Sequence, residues 1–349
     1  MPALTRRRAN VVSPSATSPW TRRGVPERGS IIEIPNPTIA ASNPTSTDSS
    51  FTLRFAIALV VGLAAAVIIS PIAAATLAAM GLRFPFPRIF DRTVMVTLLV
   101  AMLIWSRAMG FGALMRAGFA APRANLARAA IGLGIALAAI ATLFAFALAS
   151  RAGGAPTVGA LAVRAAQFIL PAILIGIIEE GFFRAFLLGG MRRDFGSRGA
   201  LVVSSIFYAA AHLVRSPKHY YVTGFHAGAG LGNLTASAAQ LGQPIASAAT
   251  LIGLFLLGMV LGRAFVLTET VWFSVGLHAG FVMGAKTWGL IAQGGAPVSR
   301  WIAGPGPVPL IAAPAAWMIA LALLVLLPKF LARESPADRA ERRHCFFGG

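Results

Sequence analysis

From Phe51 onward the sequence alternates long apolar runs with short basic links, and this pattern restricts the chain to few architectures. The hydrocarbon core of a bilayer is about 30 Å thick, so a helix of about 20 apolar residues crosses it. Eight candidate helices follow, at about 55–80, 93–115, 126–149, 160–189, 199–214, 247–264, 270–288 and 309–328. The expected fold is all-α: a polytopic integral membrane protein of about eight transmembrane helices enclosing a polar intramembrane site. Composition agrees, because only 12% of residues are charged where a soluble domain carries about a quarter. Pro71 and Pro171 fall inside two of the runs and are expected to kink or divide them, which neighbouring helices tolerate in a membrane. The sixth and seventh runs are so close that they form a tight hairpin.

The net charge of +19 comes from 30 Lys and Arg against 11 Asp and Glu. These cations cluster in the tails and links, where they act as topology signals and lipid-headgroup contacts. No nucleic-acid fold or aromatic-basic platform is visible, so a nucleic-acid partner is not expected. The cytoplasmic side receives the N-terminal tail, the 107–128 connection, the 190–198 loop and the Lys329–Arg343 segment, which puts both termini in the cytoplasm. Residues 1–50 read as a disordered basic, Ser/Thr/Pro-rich cytosolic tail without the apolar core of a secretory signal. Helices of an N-terminal unit fill 51–160, a helical core fills 161–290, the final span lies in 291–330, and 331–349 is a basic cytosolic tail. The 215–246 stretch is a Gly/Ala/Ser-rich loop, with His219, Tyr220, Tyr221 and His226 near its start, suited to an interfacial anchor or a lid. Arg107, Arg164 and Arg263 snorkel from helix ends, and Lys286 is a helix-end cation. Trp272, Trp288 and Trp301 read as interfacial aromatics. The lone Cys345 offers neither a disulfide nor a cysteine metal site.

The fourth run has an anomalous middle. Pro171–Gly190 is apolar enough to span, yet it carries Glu179, Glu180 and Arg184. A charge at bilayer depth costs several kcal/mol or more, so it faces the protein interior and marks a functional site. Glu179 and Glu180 are the only acids within a span, and His212 and His278 lie in two later runs. Glu180 and Arg184 are i, i+4 neighbours and can pair on one helix face. Glu179 is turned about 100° away, so one carboxylate can be tied to the arginine while the other accepts a proton. A glutamate with one or two imidazoles around a water suits hydrolysis.

These residues carry a resemblance. Glu179-Glu180-Gly-Phe-Phe-Arg184 has the form EExxxR, Tyr208-Ala-Ala-Ala-His212 fits FxxxH with Tyr for Phe, and His278 opens a third element of the form HxxxN or HxxxD. Together they resemble the CAAX protease and bacteriocin-processing family of intramembrane proteases, over roughly residues 165–290. The resemblance implies an intramembrane glutamic-type endopeptidase, in which Glu179 activates the attacking water and His212 helps to bind it. It implies Glu180 and Arg184 as the supporting pair and His278 as an oxyanion stabiliser. The substrate implied is a membrane-associated peptide, prenylated or leader-like, entering from the bilayer, with membrane lipids as the other partners. Such a protein is expected to be multi-pass, in a bacterial cell membrane.

The chain departs from that pattern at Val282, where the family places a second oxyanion donor. Valine cannot donate, and loss of one such donor costs about 10²–10³ in rate. Ser274, one turn before His278 and on roughly the same face, reads first as a helix-packing serine and second as a substitute donor. No cofactor is expected; in a metal-dependent version Glu179, His212 and His278 would supply three zinc ligands. The alternative class is a non-catalytic membrane protein of the same family, acting in bacteriocin immunity or as a scaffold.

Overall fold

The computed structural model describes residues 50–149, 156–213, 216–217, 225–239, 244–293, 298–305 and 310–331. Among them 86% are helical and none is in a strand, so the protein is an all-α polytopic membrane protein. The two tails, Cys345, and His219, Tyr220 and Tyr221 lie outside the described residues.

The helices are α1 (Phe51–Ala79), α2 (Phe86–Trp105), α3 (Phe111–Gly118), α4 (Pro122–Ala149), α5 (Val158–Gln167) and α6 (Ile169–Glu180). A π-helical segment, Gly181–Leu188, follows α6 directly. Then come α7 (Gly189–Leu213), α8 (Ala229–Ala239), α9 (Pro244–Thr268), α10 (Trp272–Gln293), α11 (Arg300–Ala303) and α12 (Pro314–Leu331). Four helices are long and apolar enough to cross a membrane: α1, α4 from Asn125, α9 from Ala248, and α12; a fifth results if α5 and the run Ile169–His212, bent by 48°, are one span. The count of eight expected from the apolar runs is therefore not reached on these criteria. Two of the missing spans have visible reasons. Helix α2 carries Arg88, Asp91 and Arg92 in its first turns. Helix α10 has His278, Lys286 and several Gly and Trp that lower its hydropathy, and it is buried along most of its length.

The two prolines behave differently. Pro171 has no N–H for the carbonyl four residues back, and its ring crowds that carbonyl. The break falls at Phe168, whose φ of −102° and ψ of 4° separate α5 from α6. Pro71 leaves α1 continuous but frees the Val67 carbonyl. Gly230 of α8 sits against that group: a Cβ there would come within 2.1 Å of the Val67 oxygen. The stretch 215–246, read as irregular from its Gly/Ala/Ser content, thus contains a helix that packs where Pro71 left α1 short of a hydrogen bond.

Helix α10 lies against α4, α5, α6 and α9. Its approach to α4 uses small residues four apart. A Cβ on Gly276 would meet the Ala129 carbonyl oxygen at 1.9 Å, one on Gly280 the Ala136 Cβ at 2.5 Å, and one on Gly284 the Ile140 side chain at 2.6 Å. Without such a stripe the backbones could not come this close. The α9–α10 hairpin turns at Glu269, which has a left-handed φ of 55°, and the Thr268 hydroxyl donates to the carbonyls of Ala264 and Thr270.

One end of the bundle collects the start of α1, the 107–128 connection, the 190–198 segment and this hairpin turn. Asp194 accepts from the Thr52 backbone N–H at 2.7 Å, near the N-terminus of α1, where a carboxylate is favoured by the helix dipole. Arg192 forks onto Glu269 at 2.6 and 3.0 Å. The Val271 N–H donates to the Gly118 carbonyl. Helix α7 kinks at Gly196, whose φ of 64° and ψ of 174° are non-helical. Of the aromatics read as interfacial, Trp272 donates to the Ala120 carbonyl and Trp301 is exposed. Trp288 is not interfacial: it is buried beside Phe144 and Ile140 in an apolar cluster. Arg107, Arg164 and Lys286 are exposed, whereas Arg263 is half-buried with its Nε unpartnered among the described residues.

Candidate active site

Four elements converge on one polar cluster. Glu179 and Glu180 end α6, Arg184 sits in the π-helical segment, His212 lies at the end of α7, and His278 lies in the first two turns of α10. The π-helical segment is buried over Gly181, Phe183, Arg184, Ala185, Phe186, Leu187 and Leu188. A stretch buried on all sides must satisfy its own backbone, and π-turns of this kind recur at functional sites. Nothing in the apolar pattern of this run distinguishes a π-helix from an α-helix.

Glu180 is completely buried and has two partners. Its Oε1 accepts from His278 Nδ1 at 2.8 Å, and its Oε2 lies 3.2 Å from Arg184 Nε. The latter contact is ionic rather than a well-aligned hydrogen bond, since neither atom is satisfied by hydrogen-bond geometry. Arg184 is 1% exposed and its guanidinium carbon stands 4.8 Å from the centroid of the Tyr208 ring, a cation–π arrangement.

Glu179 is in a different setting, 28% exposed, with Oε2 lying 3.3 Å from His212 Nε2 and 3.7 Å from His278 Nε2. The tautomers follow from the opposite ring nitrogens. His212 Nδ1 is 2.8 Å from the Tyr208 carbonyl, which can only accept, so Nδ1 carries the proton. His278 Nδ1 faces a carboxylate and likewise donates. The Nε2 atoms of both rings lie toward Glu179 Oε2, and each presents a lone pair when its ring is neutral and an N–H when it is protonated.

The surrounding wall is aromatic on one side. Phe183 packs edge-on to Tyr208, Tyr208 stacks obliquely 4.2 Å from His212, and Phe207 reaches Phe55 of α1. On the other side Val282 packs with Ala172, Ala279 and Met283. Ser274 is fully buried and its hydroxyl donates to the Val271 carbonyl at 2.9 Å, so it is occupied as a helix-packing group. Among the described residues no set of three or more His, Cys, Asp and Glu is placed to hold a metal ion. A separate cavity of about 520 Å³, lined by α1 and α2 residues with Phe225 and His226, does not include this cluster.

The structure thus brings together Glu179, Glu180, Arg184, His212 and His278, all five of the residues singled out in the sequence. It also shows features the sequence reading passed over. Tyr208, which in the sequence only replaces Phe in the FxxxH element, is one of them. A second polar chain runs from Asn233 through the Ser216 hydroxyl to Asp91, signalled in the sequence only by an isolated Asn in a Gly/Ala-rich stretch.

Comparison with known proteins adds one match. Residues 160–283 match the family described as type II CAAX prenyl endopeptidase, Rce1-like. No curated protein and no solved structure matches the chain. The matched residues include the whole Glu/Arg/His cluster and Val282. Residues 160–283, the stretch that carries the site, are thus similar to the Rce1-like family of type II CAAX prenyl endopeptidases.

Proposed function

We propose that the protein is an intramembrane endopeptidase that hydrolyses a peptide bond with a water activated by Glu179. The observation that carries this reading is the convergence of two imidazole Nε2 atoms on Glu179 Oε2. A water can both donate and accept hydrogen bonds, so a carboxylate flanked by two imidazoles is complementary to it. Glu180 and Arg184 support the arrangement from behind by fixing His278 through its Nδ1.

In the step proposed, the water oxygen attacks the scissile carbonyl carbon and its proton passes to Glu179. The carbonyl π electrons move onto oxygen, where His278 and the surrounding donors meet the charge. Collapse of the tetrahedral intermediate breaks the C–N bond. The proton held by Glu179, relayed through His212, goes to the leaving amine. The remaining hydroxyl proton leaves the new carboxyl group for the amine, and the products are a carboxylate and an ammonium. The bond lies in a prenylated or leader-like peptide reaching the site from the bilayer. The arginine-rich end of the bundle, with the 190–198 segment, faces the cytoplasm.

Comparative peptidomics of membranes containing wild-type protein or Glu179→Gln tests the reading. New peptide termini that depend on Glu179 are expected, and identical termini in the two would refute it. A second reading rests on Val282: a family member lacking one oxyanion donor acts without catalysis, in immunity or as a scaffold. The same comparison separates the two.

A further inference from the structure

Two departures from the family pattern, noted separately in the sequence, concern helices that supply histidines to this site: position 282 on the helix of His278 and position 208 on that of His212. Position 282 holds a valine that packs in an apolar cluster and has no hydrogen to donate. Position 208 holds a tyrosine where the pattern has phenylalanine, and it lies one helical turn from His212.

Of the other donors nearby, Ser274 is engaged, donating to the Val271 carbonyl. Arg184 has Nε and Nη2 without hydrogen-bond partners among the described residues, but its guanidinium is held between Glu180 and the face of the Tyr208 ring. Tyr208 is different. It is 1% exposed, with its ring held by Phe183, His212 and Arg184 at centroid distances of 4.9, 4.2 and 4.8 Å. Its backbone carbonyl serves His212, but its hydroxyl makes no hydrogen bond among the described residues. Buried tyrosines normally find a partner for that group. Its ring lies against His212 and Arg184, which are themselves partners of Glu179 and Glu180, so the phenol borders the carboxylate cluster.

We propose that the Tyr208 hydroxyl donates a hydrogen bond to the carbonyl oxygen as it becomes an oxyanion, in place of the donor that Val282 lacks. This rests on the peptidase reading above. As Glu179 accepts the water's proton it loses its negative charge, and the carbonyl oxygen gains one. A hydroxyl bordering the cluster is therefore drawn to the oxyanion as it forms, which favours the transition state over the ground state. The ring is already fixed by packing, so the donor needs little reorganisation beyond rotation of its O–H.

The test uses the full chain in nanodiscs and a farnesylated reporter peptide ending in Cys-aliphatic-aliphatic-X. Tyr208→Phe removes one O–H and keeps the ring. It is expected to lower kcat by about 10²-fold, with KM changed by less than about threefold. Val282→Asn, added to Tyr208→Phe, is expected to recover at least about tenfold of that loss, while doing far less in the wild-type background. A phosphinate mimic of the tetrahedral intermediate should lose affinity in Tyr208→Phe by the same factor as kcat. A tyrosine that only packs would weaken substrate and mimic alike. If wild type cleaves in a Glu179-dependent manner and Tyr208→Phe stays within about twofold of it, the Tyr208 role is overturned and the peptidase reading stands. If wild type and Glu179→Gln behave identically, the peptidase reading falls and the Tyr208 role with it.

Discussion

Replacing Arg184 by Met tests the electrostatic core of the site. The side chain is 1% exposed and its Nε lies 3.2 Å from a Glu180 carboxylate that has no exposure at all. Methionine keeps most of the length and packing of the stem while removing the charge. Glu180 would keep one partner, the His278 Nδ1–H at 2.8 Å, and lose its counter-ion. Breaking a buried pair from one side costs about 3–5 kcal/mol, because the remaining charge is stranded. Glu180→Gln strands the guanidinium and should cost a similar amount. In the double variant Glu180→Gln/Arg184→Met neither charge remains, and neutral replacement of a buried pair is often nearly free of cost. Unfolding in mixed micelles, followed by tryptophan fluorescence, should therefore find the double variant no less stable than either single one. Losses that simply add would show that the two groups do not interact, and the argument from their proximity would be wrong.

The remaining predictions concern packing, surface charge and metal. Gly276→Ala puts a Cβ 1.9 Å from the Ala129 carbonyl oxygen, forcing α4 and α10 apart, and should cost about 1–3 kcal/mol in unfolding assays. Gly289→Ala in the same helix meets nothing within 4 Å and should be neutral or slightly stabilising, because alanine is the better helix former. Arg192→Ala breaks the pair with Glu269, whose side chains are 24% and 34% exposed, so solvent screening should hold its effect on the unfolding midpoint to about 1 kcal/mol or less. Chelator treatment to a verified metal-free state should leave the rate of reporter cleavage unchanged. Loss and zinc-dependent recovery would instead assign Glu179, His212 and His278 as ligands.

The parts of this fold that follow from local pattern were legible, and those that depend on how helices rotate against each other were not. Apolar length located the long helices and the α9–α10 hairpin, and a charge count isolated Glu179, Glu180 and Arg184 within one run. The i, i+4 spacing anticipated the Glu180–Arg184 pair. It could not anticipate that His278 spans both carboxylates, Nδ1 to Glu180 and Nε2 to Glu179, because that depends on the azimuth of α10. Helix α8 was missed because its Gly/Ala/Ser composition has little apolar periodicity; its position depends on a backbone carbonyl of α1 that Pro71 released. Trp288 was misplaced because tryptophan near a helix end is ambiguous between interface and core. The Gly276, Gly280 and Gly284 stripe was visible as a four-residue repeat and would have identified α10 as the packed central helix.

The central claim is that Glu179 activates the attacking water. Its most direct test is the rate of cleavage of a farnesylated reporter by purified wild-type protein and by Glu179→Gln, both shown to be folded and inserted in nanodiscs. The amide is isosteric and cannot accept the water's proton as the carboxylate does. The account predicts loss of about 10²–10⁴-fold in kcat, the contribution of a positioned general base, with the unfolding midpoint preserved. A Glu179→Gln protein that cleaves at the wild-type rate would contradict it.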